Sequence, residues 1–528
     1  MFSVTDPSAF LNQVHSVLEA RGVRTSLQDT QPYATDWRGR YTGRPLAVVF
    51  PGNTEEVAAV VKAANQFGVA IIPQGGNTGL TGATVPDDSG SQLILNLSRM
   101  HQIRGRDALN KTLTVEAGVT MQAAQEAADA MGLLFPLSLP ARGTATIGGN
   151  LATNAGGTAV LRYGNARAVC LGLEVVTAKG EIWNGLRGLR KDNTGYDLRD
   201  LFIGSEGTLG VITAAVLALM PKPAGMATAL ARVSSIEAAL SLLALAQDRA
   251  DAQLTGFEMM TPTAVGLALT YFPALARGVE GLLNASTPVL TGASGARGGG
   301  GRGAGGVGVG GSTEDVSVLV LLEVSSPESE QAGQDLLERI LSEAIEKGTA
   351  ADALVARSSA QSRSFWDVRE HITLAASDDG PHIKHDISLP ISAIPGFVQE
   401  TNAFLQAQWP GVRMINFGHL GDGNLHYNVA PPLALAHSVH ATPADSDRAR
   451  RHATYKEFLA AHEEAIRTAV HDRVVALGGS ISAEHGLGLL RRDEAAFYKS
   501  PVEMNLMRAI KQALDPKGIM NPGKVLQL

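Results

Sequence analysis

A short β-α-β pattern that runs into a glycine-rich loop constrains the fold more than any other stretch of this sequence. Residues 46–50 form an apolar run of strand length, and apolar side chains then recur at helical spacing up to Gly68. A second apolar run, 69–72, leads into Pro-Gln-Gly-Gly-Asn-Thr-Gly-Leu-Thr-Gly at 73–82. The pattern predicts a sheet whose strand delivers several backbone N–H groups to one bound anion.

The residues after this loop decide which kind of phosphate site it could form. A nicotinamide dinucleotide fingerprint requires a helix directly after its glycines. Here Ala-Thr-Val-Pro-Asp-Asp-Ser-Gly follows at 83–90, which does not start a helix. We therefore expect a pyrophosphate cradle made by a loop. A glycine-rich surface turn is the alternative for this motif taken alone.

Two further stretches of small and polar residues adjoin predicted strands, at 144–157 and 204–213. Such stretches offer little to pack, so we expect the first to be an exposed linker or a backbone that lines a ligand. Asn150, Thr153 and Asn154 could reach the carbonyls and nitrogens of a planar heterocycle. Three such loops together predict one elongated cofactor lying across the domain.

A polar cluster in the second half of the chain predicts a metal site. His419 and His426 lie in the glycine-containing stretch 416–428, read as a loop running into a strand, and Glu484 precedes His485 further along. Two histidines and a carboxylate with an open fourth position are typical of catalytic zinc, although manganese or iron would accept the same ligands. The alternative for a histidine pair alone is a hydrogen-bonded polar core.

Composition limits the class of protein. A chain of 528 residues suggests two to four domains, and a net charge of −7 disfavours nucleic-acid binding. The single cysteine, Cys170, excludes an intramolecular disulfide and a multi-cysteine metal site. We find no transmembrane run or signal peptide. The expectation is a cytoplasmic protein, with peripheral membrane contact left open.

These loops, together with Arg-Lys-Asp-Asn-Thr-Gly-Tyr-Asp-Leu at 190–198, carry a family resemblance. Over residues 30–280 and 315–526 the chain resembles FAD-dependent oxidoreductases of the vanillyl-alcohol-oxidase (PCMH) type, in particular the D-2-hydroxyacid dehydrogenases. The resemblance implies an α+β fold with a PCMH-type FAD-binding domain of two α+β subdomains. It also implies an α+β substrate or cap domain with an antiparallel sheet, and a C-terminal helical segment.

Domain boundaries follow from the resemblance and from composition. We expect a lead-in at 1–45, the FAD-binding domain at 46–225, the cap domain at 226–475 and a returning C-terminal segment at 476–528. Residues 285–314 are expected to be a flexible, glycine-rich insertion in the cap domain. In that domain, we expect the helices to cover one side of the sheet.

The resemblance also implies roles for individual residues. No histidine lies near the predicted loops, so we expect non-covalent FAD. The residues expected to bind it are Pro73, Gln74, Gly75, Gly76, Asn77, Thr78, Gly79, Gly143, Thr144, Thr146, Gly149, Asn150, Thr153, Asn154, Glu206, Gly207, Val211, Ile212 and Asn521. His419, His426 and Glu484 match the family's metal ligands, with zinc favoured. The residues that match its substrate-carboxylate contacts are Arg369, Thr373, Lys384 and Asn428.

The implied activity is oxidation of a D-2-hydroxy acid, with hydride leaving for flavin N5. A divalent cation would acidify the substrate hydroxyl, and His485 would act as the general base. Retention of all four carboxylate contacts favours D-2-hydroxyglutarate, with D-lactate, glycolate or D-malate as alternatives. From the residues alone, Arg369 could instead pair with Glu370 or Asp367 on a solvated helix.

Two other classes of function remain as alternatives: a zinc hydrolase, which would leave the three loops unexplained, and a flavin-binding scaffold without activity. For the dehydrogenase, the family suggests an electron-transfer flavoprotein or a quinone as electron acceptor. A homodimer is left open. We expect no nucleic-acid partner.

Overall fold

The computed structural model describes residues 6–282, 317–435 and 445–527, so the predicted glycine-rich insertion lies outside the described residues. The chain divides into two compact units. The first unit comprises Met1–Lys222 and Glu484–Leu528, and the second comprises Pro223–Ala483. Within the described ranges, no helix has the length and apolar character needed to cross a membrane.

The amino-terminal part of the first unit alternates short strands and helices. Its strands are β1 (Val23–Arg24), β2 (Pro45–Val49), β3 (Ala70–Gln74), β4 (Gln92–Asn96), β5 (Ile103–Asp107), β6 (Thr112–Glu116), β7 (Leu133–Leu134), β8 (Cys170–Thr177), β9 (Ile182–Gly185), β10 (Gly210–Ala218) and β11 (Met220–Pro221). Its helices are α1 (Pro7–Leu18), α2 (Leu27–Thr30), α3 (Thr54–Phe67), α4 (Met121–Asp129), α5 (Ile147–Thr153), α6 (Val160–Tyr163) and α7 (Arg199–Phe202).

The predicted β-α-β unit is confirmed as β2, α3 and β3. The Asn53 side chain accepts a hydrogen bond from the N–H of Glu56 and starts α3, and Gly68 at φ 70° ends it. Strand β4 lies between β2 and β3 and is parallel to both, in the order β1-β2-β4-β3. In the second sheet, the order is β5-β6-β10-β8-β9, and every pairing is antiparallel.

The prediction that residues 144–157 offer little to pack is wrong, because this stretch contains helix α5. The hydroxyl of Thr146 caps the helix by accepting a hydrogen bond from the N–H of Gly149. Ile147 and Leu151 are buried in the hydrophobic core of the first unit. Apolar contacts from outside the segment therefore stabilise a helix that its small residues do not predict.

The second unit is built on one antiparallel sheet. Its strands are β12 (Gly225–Val233), β13 (Leu254–Met260), β14 (Val318–Ser326), β15 (Asp352–Val355), β16 (Asp386–Ser388), β17 (Arg413–Gly418) and β18 (Asn424–Ala430). Its helices are α8 (Ile236–Ala250), α9 (Pro262–Tyr271), α10 (Glu330–Glu346), α11 (Ser359–Asp379), α12 (Ile394–Gln408) and α13 (Asp445–Ala476). The strand order is β15-β12-β14-β13-β17-β18-β16, with antiparallel pairing throughout, as the family resemblance implies.

Helices cover both faces of this sheet, so the prediction of helices on one side is wrong. Trp366 of α11 donates a hydrogen bond to Glu323 of β14 on one face. On the opposite face, Gly333 of α10 packs against Ala227 of β12. Most residues of β12 and β14 are buried, and most of those are apolar, so the sheet requires cover on both faces.

The C-terminal segment completes the first unit with α14 (Arg492–Tyr498) and α15 (Pro501–Leu514). After α15 the chain runs beside β3, where the N–H of Ile71 donates to the carbonyl of Ile519 at 2.7 Å. The buried Lys511 ammonium donates to Asp515 and to the carbonyls of Thr208 and Met520. Backbone and side-chain contacts therefore join the two parts of this unit.

Candidate functional site

The structure brings the three predicted loops of the first unit together. A Cβ on Gly76 would lie 1.9 Å from the carbonyl oxygen of Thr144, so the first and second loops are in backbone contact. A Cβ on Gly207 would lie 2.9 Å from Cγ of Pro73, so the third loop also reaches the first. Glycine is required at both positions because any side chain would separate these segments.

A cavity of about 530 Å³ opens beside the first loop. Its lining includes Gln74, Gly75, Gly76 and Asn77. In the same unit, two buried polar atoms, Nδ2 of Asn150 and Oδ1 of Asn521, have no hydrogen-bond partner among the described residues. Buried polar atoms are normally hydrogen-bonded, so these two fit a polar ligand that supplies an acceptor and a donor. The loops, the cavity and these atoms fit FAD.

Several residues predicted to contact FAD also build the loops themselves. Gln74 donates to the carbonyls of Tyr33 and Thr84, and Asn77 donates to the carbonyl of Thr35. The Thr153 hydroxyl donates within its own helix, and Asn154 accepts from the N–H of Arg167. Val211 and Ile212 are buried in the core. Contact with FAD remains a prediction for each residue of the set.

Glu206 holds the backbone of the segment that directly follows His485, the predicted general base. Its carboxylate accepts hydrogen bonds from the N–H groups of Leu487 at 2.7 Å and Gly488 at 2.9 Å. Burial raises the pKa of Glu206 to about 7, and these two donors only partly offset that shift. In the same segment, Nε2 of His485 lies 3.7 Å from Oε1 of Glu484. A Cβ on Gly156 would lie 3.0 Å from Glu484, so this segment reaches the second loop.

In the second unit, the histidine stretch forms a β-hairpin rather than a loop that leads into one strand. Strands β17 and β18 pair, and a 3₁₀ turn at Leu420–Asp422 joins them. His419 directly follows β17, and His426 lies on β18. Their ring centroids are 5.6 Å apart. The hairpin therefore brings two of the three predicted metal ligands together.

Glu258 contacts this hairpin from the neighbouring strand β13, and the sequence did not predict its role. Its Oε1 accepts from Nδ1 of His419 at 2.5 Å, and its Oε2 accepts from Nε of Arg369 at 2.7 Å. Burial alone would raise the pKa of Glu258, but His419 and Arg369 lower it to about 2. A charged residue inside the otherwise uncharged strand Leu-Thr-Gly-Phe-Glu-Met-Met was the available signal.

The contacts of Arg369 exclude the solvated-helix alternative. Arg369 is buried and pairs with Glu258, whereas Glu370 is exposed. Its guanidinium also stacks on Phe417, with the central carbon 4.7 Å from the ring centroid. Among the described residues, only Nε of this guanidinium has a hydrogen-bond partner, so its terminal nitrogens remain available as donors.

Two of the other predicted substrate contacts, Lys384 and Asn428, lie in segments that run beside each other. Asp386 faces His426 across β16 and β18, and Ile383 faces Val429. Lys384 lies between these two pairs, outside β16, and continuing the register would place it opposite Asn428. Asn428 lies two residues after His426 on β18 and therefore shares its face. Thr373 is exposed on α11, one turn beyond Arg369.

A second buried carboxyl on this face has different partners. Glu323 on β14 accepts hydrogen bonds from the Trp366 indole at 2.8 Å and from the Thr228 hydroxyl at 3.5 Å. Burial raises the pKa of Glu323 to about 7, although both donors act in the opposite direction. Glu258 pairs with cations, whereas Glu323 pairs with neutral donors.

Comparison with protein families finds two matching regions. Residues 45–185 match a family described as FAD binding domain. Residues 222–525 match one described as FAD linked oxidases, C-terminal domain.

Relatives of known name are similar over almost the whole chain. A D-2-hydroxyglutarate dehydrogenase of Xanthomonas citri pv. viticola is 34% identical, with 99% of this chain and 98% of the relative covered. A mitochondrial D-2-hydroxyglutarate dehydrogenase of Arabidopsis thaliana is 33% identical, with 100% and 83% covered. A putative mitochondrial D-lactate dehydrogenase of Schizosaccharomyces pombe is 32% identical, with 96% and 87% covered.

Solved structures share the fold at low sequence identity. An alkyldihydroxyacetonephosphate synthase matches with a TM-score of 0.68 and 16% identity, covering 98% of this chain and 84% of the other. A p-cresol methylhydroxylase with bound substrate gives a TM-score of 0.68 and 16% identity, covering 98% and 97%. At this identity, the likeness shows the fold alone.

Proposed function

Because the chain belongs to the FAD-linked oxidase family, we propose that it is an FAD-dependent dehydrogenase that converts D-2-hydroxyglutarate to 2-oxoglutarate. The main support is a relative named for that activity that covers 99% of this chain at 34% identity. The contacts in both units described above are consistent with the proposal. Membership in this family also argues against the zinc-hydrolase alternative.

The first unit would bind FAD through its three converging loops. The N–H groups of the loop at 74–79 would bind the pyrophosphate, and the residues around Asn150, Glu206 and Asn521 would line the ring system. FAD, when bound, supplies the acceptor for the hydride that leaves Cα of the substrate. Asn150 and Asn521 would gain the hydrogen bonds that their buried atoms lack.

His485 is the proposed general base that takes the hydroxyl proton. An unassisted alcohol holds its proton too tightly for an imidazole to remove it readily. A divalent cation held by His419 and His426 would supply the Lewis acidity that makes the proton easier to remove. Glu484 stays the predicted third ligand on the basis of sequence alone.

Charged donors of the second unit would bind the substrate carboxylates. The terminal nitrogens of Arg369 offer two parallel donors, which suits the carboxylate beside the reacting carbon. Lys384, with Asn428 facing it, would bind the distal carboxylate. Thr373 is the least supported of the four contacts because it is exposed.

D-lactate is the second candidate substrate, because one relative is named as a putative D-lactate dehydrogenase. D-lactate lacks a distal carboxylate, so Lys384 would have no ionic partner on it. For the remaining partners, an electron-transfer flavoprotein or a quinone is the proposed electron acceptor. A cytoplasmic location and a homodimer are further parts of the proposal that need separate measurement.

Anaerobic flavin reduction tests the proposal directly. The purified holoprotein is mixed with D-2-hydroxyglutarate, D-lactate, D-malate or glycolate, and flavin absorbance is followed. We expect the fastest bleaching with D-2-hydroxyglutarate and none with its L enantiomer. Faster reduction by D-lactate would favour the second candidate. A flavin that none of these acids bleaches would refute a 2-hydroxyacid dehydrogenase and support the scaffold alternative.

A further inference from the structure

We propose that Glu258 is a positioning residue that holds the cation ligand His419 and the carboxylate-binding Arg369 at a fixed separation. This inference rests on the proposed function because it takes those two residues to face the same substrate. Glu258 would contact neither the substrate nor the cation.

The two oxygens of Glu258 have separate partners. Oε1 accepts from His419 at 2.5 Å, and Oε2 accepts from Arg369 at 2.7 Å. All three side chains are buried, with 1%, 9% and 8% of the side chain exposed for Glu258, His419 and Arg369. Water therefore has little access to replace either hydrogen bond. One carboxylate determines where both groups lie.

The bond to His419 also selects the tautomer of that imidazole. An ionised carboxylate only accepts hydrogen bonds, so Nδ1 of His419 carries the proton that it donates. In the neutral imidazole, the form that ligates a metal, Nε2 is then the unprotonated nitrogen. A carboxylate behind a histidine ligand orients the ring and strengthens its binding.

The bond to Arg369 uses only its Nε. Stacking on Phe417 holds the plane of the guanidinium, and Phe417 also contacts His426 with ring centroids 5.0 Å apart. The two terminal nitrogens remain as a planar pair of donors suited to a carboxylate. Glu258 therefore fixes the position of a carboxylate fork and of a cation ligand together.

This arrangement matches the chemistry of a 2-hydroxy acid. In such a molecule, the hydroxyl oxygen and the carboxylate are on adjacent carbons, so their separation varies little. A shared carboxylate anchor keeps the corresponding protein groups at a constant separation as well. The inferred specificity is for the 2-hydroxycarboxylate end of the substrate, whatever lies at its distal end.

Replacement of Glu258 by glutamine separates the two roles of the carboxylate. The glutamine oxygen can accept one hydrogen bond, but its amide nitrogen is a donor. If the oxygen faces Arg369, the amide donates to Nδ1 of His419 and forces the proton onto Nε2, which cannot then bind a cation. If the amide is reversed, Arg369 loses its acceptor and two donors face each other. Each orientation therefore disrupts one of the two contacts, either the one to His419 or the one to Arg369.

The experiment compares Glu258→Gln with Glu323→Gln, which places the same amide on the same sheet face with neutral partners. Zinc affinity of metal-depleted holoprotein is measured by competition with a chromogenic chelator. Flavin content and thermal midpoint are recorded to confirm folding. We expect zinc binding to weaken roughly 10- to 100-fold in Glu258→Gln. We expect little change in Glu323→Gln. The KM for the hydroxy acid should also rise in Glu258→Gln alone.

Zinc binding by Glu258→Gln that equals wild type would overturn the inference, as would an equal loss in both variants. The proposed function fails separately, if no 2-hydroxy acid reduces the wild-type flavin. A wild-type protein that is reduced but binds no zinc overturns the inference and leaves the oxidation standing. If zinc binding weakens only in Glu258→Gln but no 2-hydroxy acid reduces the wild-type flavin, the positioning of His419 is supported and the proposed substrate class is refuted.

Discussion

Two buried glutamates, one in each unit, hold their surroundings in different ways. Glu206 accepts hydrogen bonds from two backbone N–H groups, and burial raises its pKa to about 7. Glu258 accepts from a guanidinium and an imidazole, and these partners lower its pKa to about 2 against the effect of burial. Burial alone does not decide whether a carboxyl is charged, because the charge on its partners decides it.

The same difference extends to the surrounding regions. The first unit forms its candidate site from backbone groups that glycines bring into contact, so an added methyl group should be damaging there. The second unit forms its candidate site from charged side chains on its sheet and on helix α11, so loss of a charge should be damaging there. The comparison predicts which kind of substitution each region tolerates.

The largest effect should come from His485→Asn, in the segment that Glu206 holds. Asparagine keeps hydrogen-bonding capacity but cannot take up the substrate proton at neutral pH. We expect turnover to fall by about 10²- to 10⁴-fold, with flavin and metal content unchanged. Stopped-flow flavin reduction measures this loss. Turnover like that of the wild type would show that the base lies elsewhere.

Gly76→Ala tests whether close backbone contacts form the candidate site of the first unit. The new Cβ would lie 1.9 Å from the carbonyl oxygen of Thr144, and backbone on both sides leaves little room to move. Overpacking of about 1–3 kcal/mol corresponds to roughly 5- to 150-fold weaker FAD binding. Gly105→Ala, on β5 of the same unit, is the matched control, since its Cβ would come no closer than 3.6 Å to a neighbouring atom. FAD retained equally by both variants would contradict the predicted cradle.

The charged nature of the second site is tested by Lys384→Ala. Loss of a charge-assisted hydrogen bond costs about 1.5–3 kcal/mol, which is roughly 10- to 100-fold in kcat/KM for a dicarboxylate. D-lactate has no distal carboxylate and should lose much less. Steady-state kinetics with both acids give the ratio. Equal losses on the two substrates would exclude Lys384 as the distal contact.

A separate effect, on stability rather than on turnover or binding, should be a change in the pH dependence of the free energy of unfolding in Glu206→Gln. The folded-state pKa of Glu206 is raised from 4.5 to about 7, so the folded state binds this proton more tightly than the unfolded state. Its contribution to the free energy of unfolding therefore falls as pH rises from about 4.5 to about 7, then levels off. The total change is about 3 kcal/mol.

Thermal midpoints of wild type and Glu206→Gln across that pH range measure the difference. The wild-type midpoint should approach or cross that of the variant as pH rises. Parallel curves would mean that Glu206 is already ionised in the acid range and that its environment resembles that of Glu258.

Local sequence signals predicted much of the fold. Asn53 and Gly68 mark the ends of α3, and apolar runs locate β2 and β3 on either side of it. Helix α5 was missed because Ile147 and Leu151 find their apolar partners elsewhere in the chain. The glycine-rich composition of that segment does not predict those contacts.

The candidate site was predictable where its residues are close in sequence. His419 and His426 share one hairpin, so their approach follows from local structure. Glu258 is 161 positions from His419 and 111 from Arg369. The register of β13 against β17 brings Glu258 to His419, and α11 contributes Arg369 from outside the sheet. The hydrophobic periodicity of the sequence does not indicate which positions of the two strands lie opposite each other.

The return of the chain beside β3 has a consequence for biosynthesis. A ribosome completes all of Pro223–Ala483 before it makes Glu484–Leu528, which belongs to the first unit. The second unit is contiguous and can fold as it emerges, whereas the first must wait for Ile519 to pair with Ile71. The unit whose synthesis begins first is therefore the last to be completed. Until then, a nascent chain stalled before Glu484 would lack Lys511, Asn521 and the proposed base.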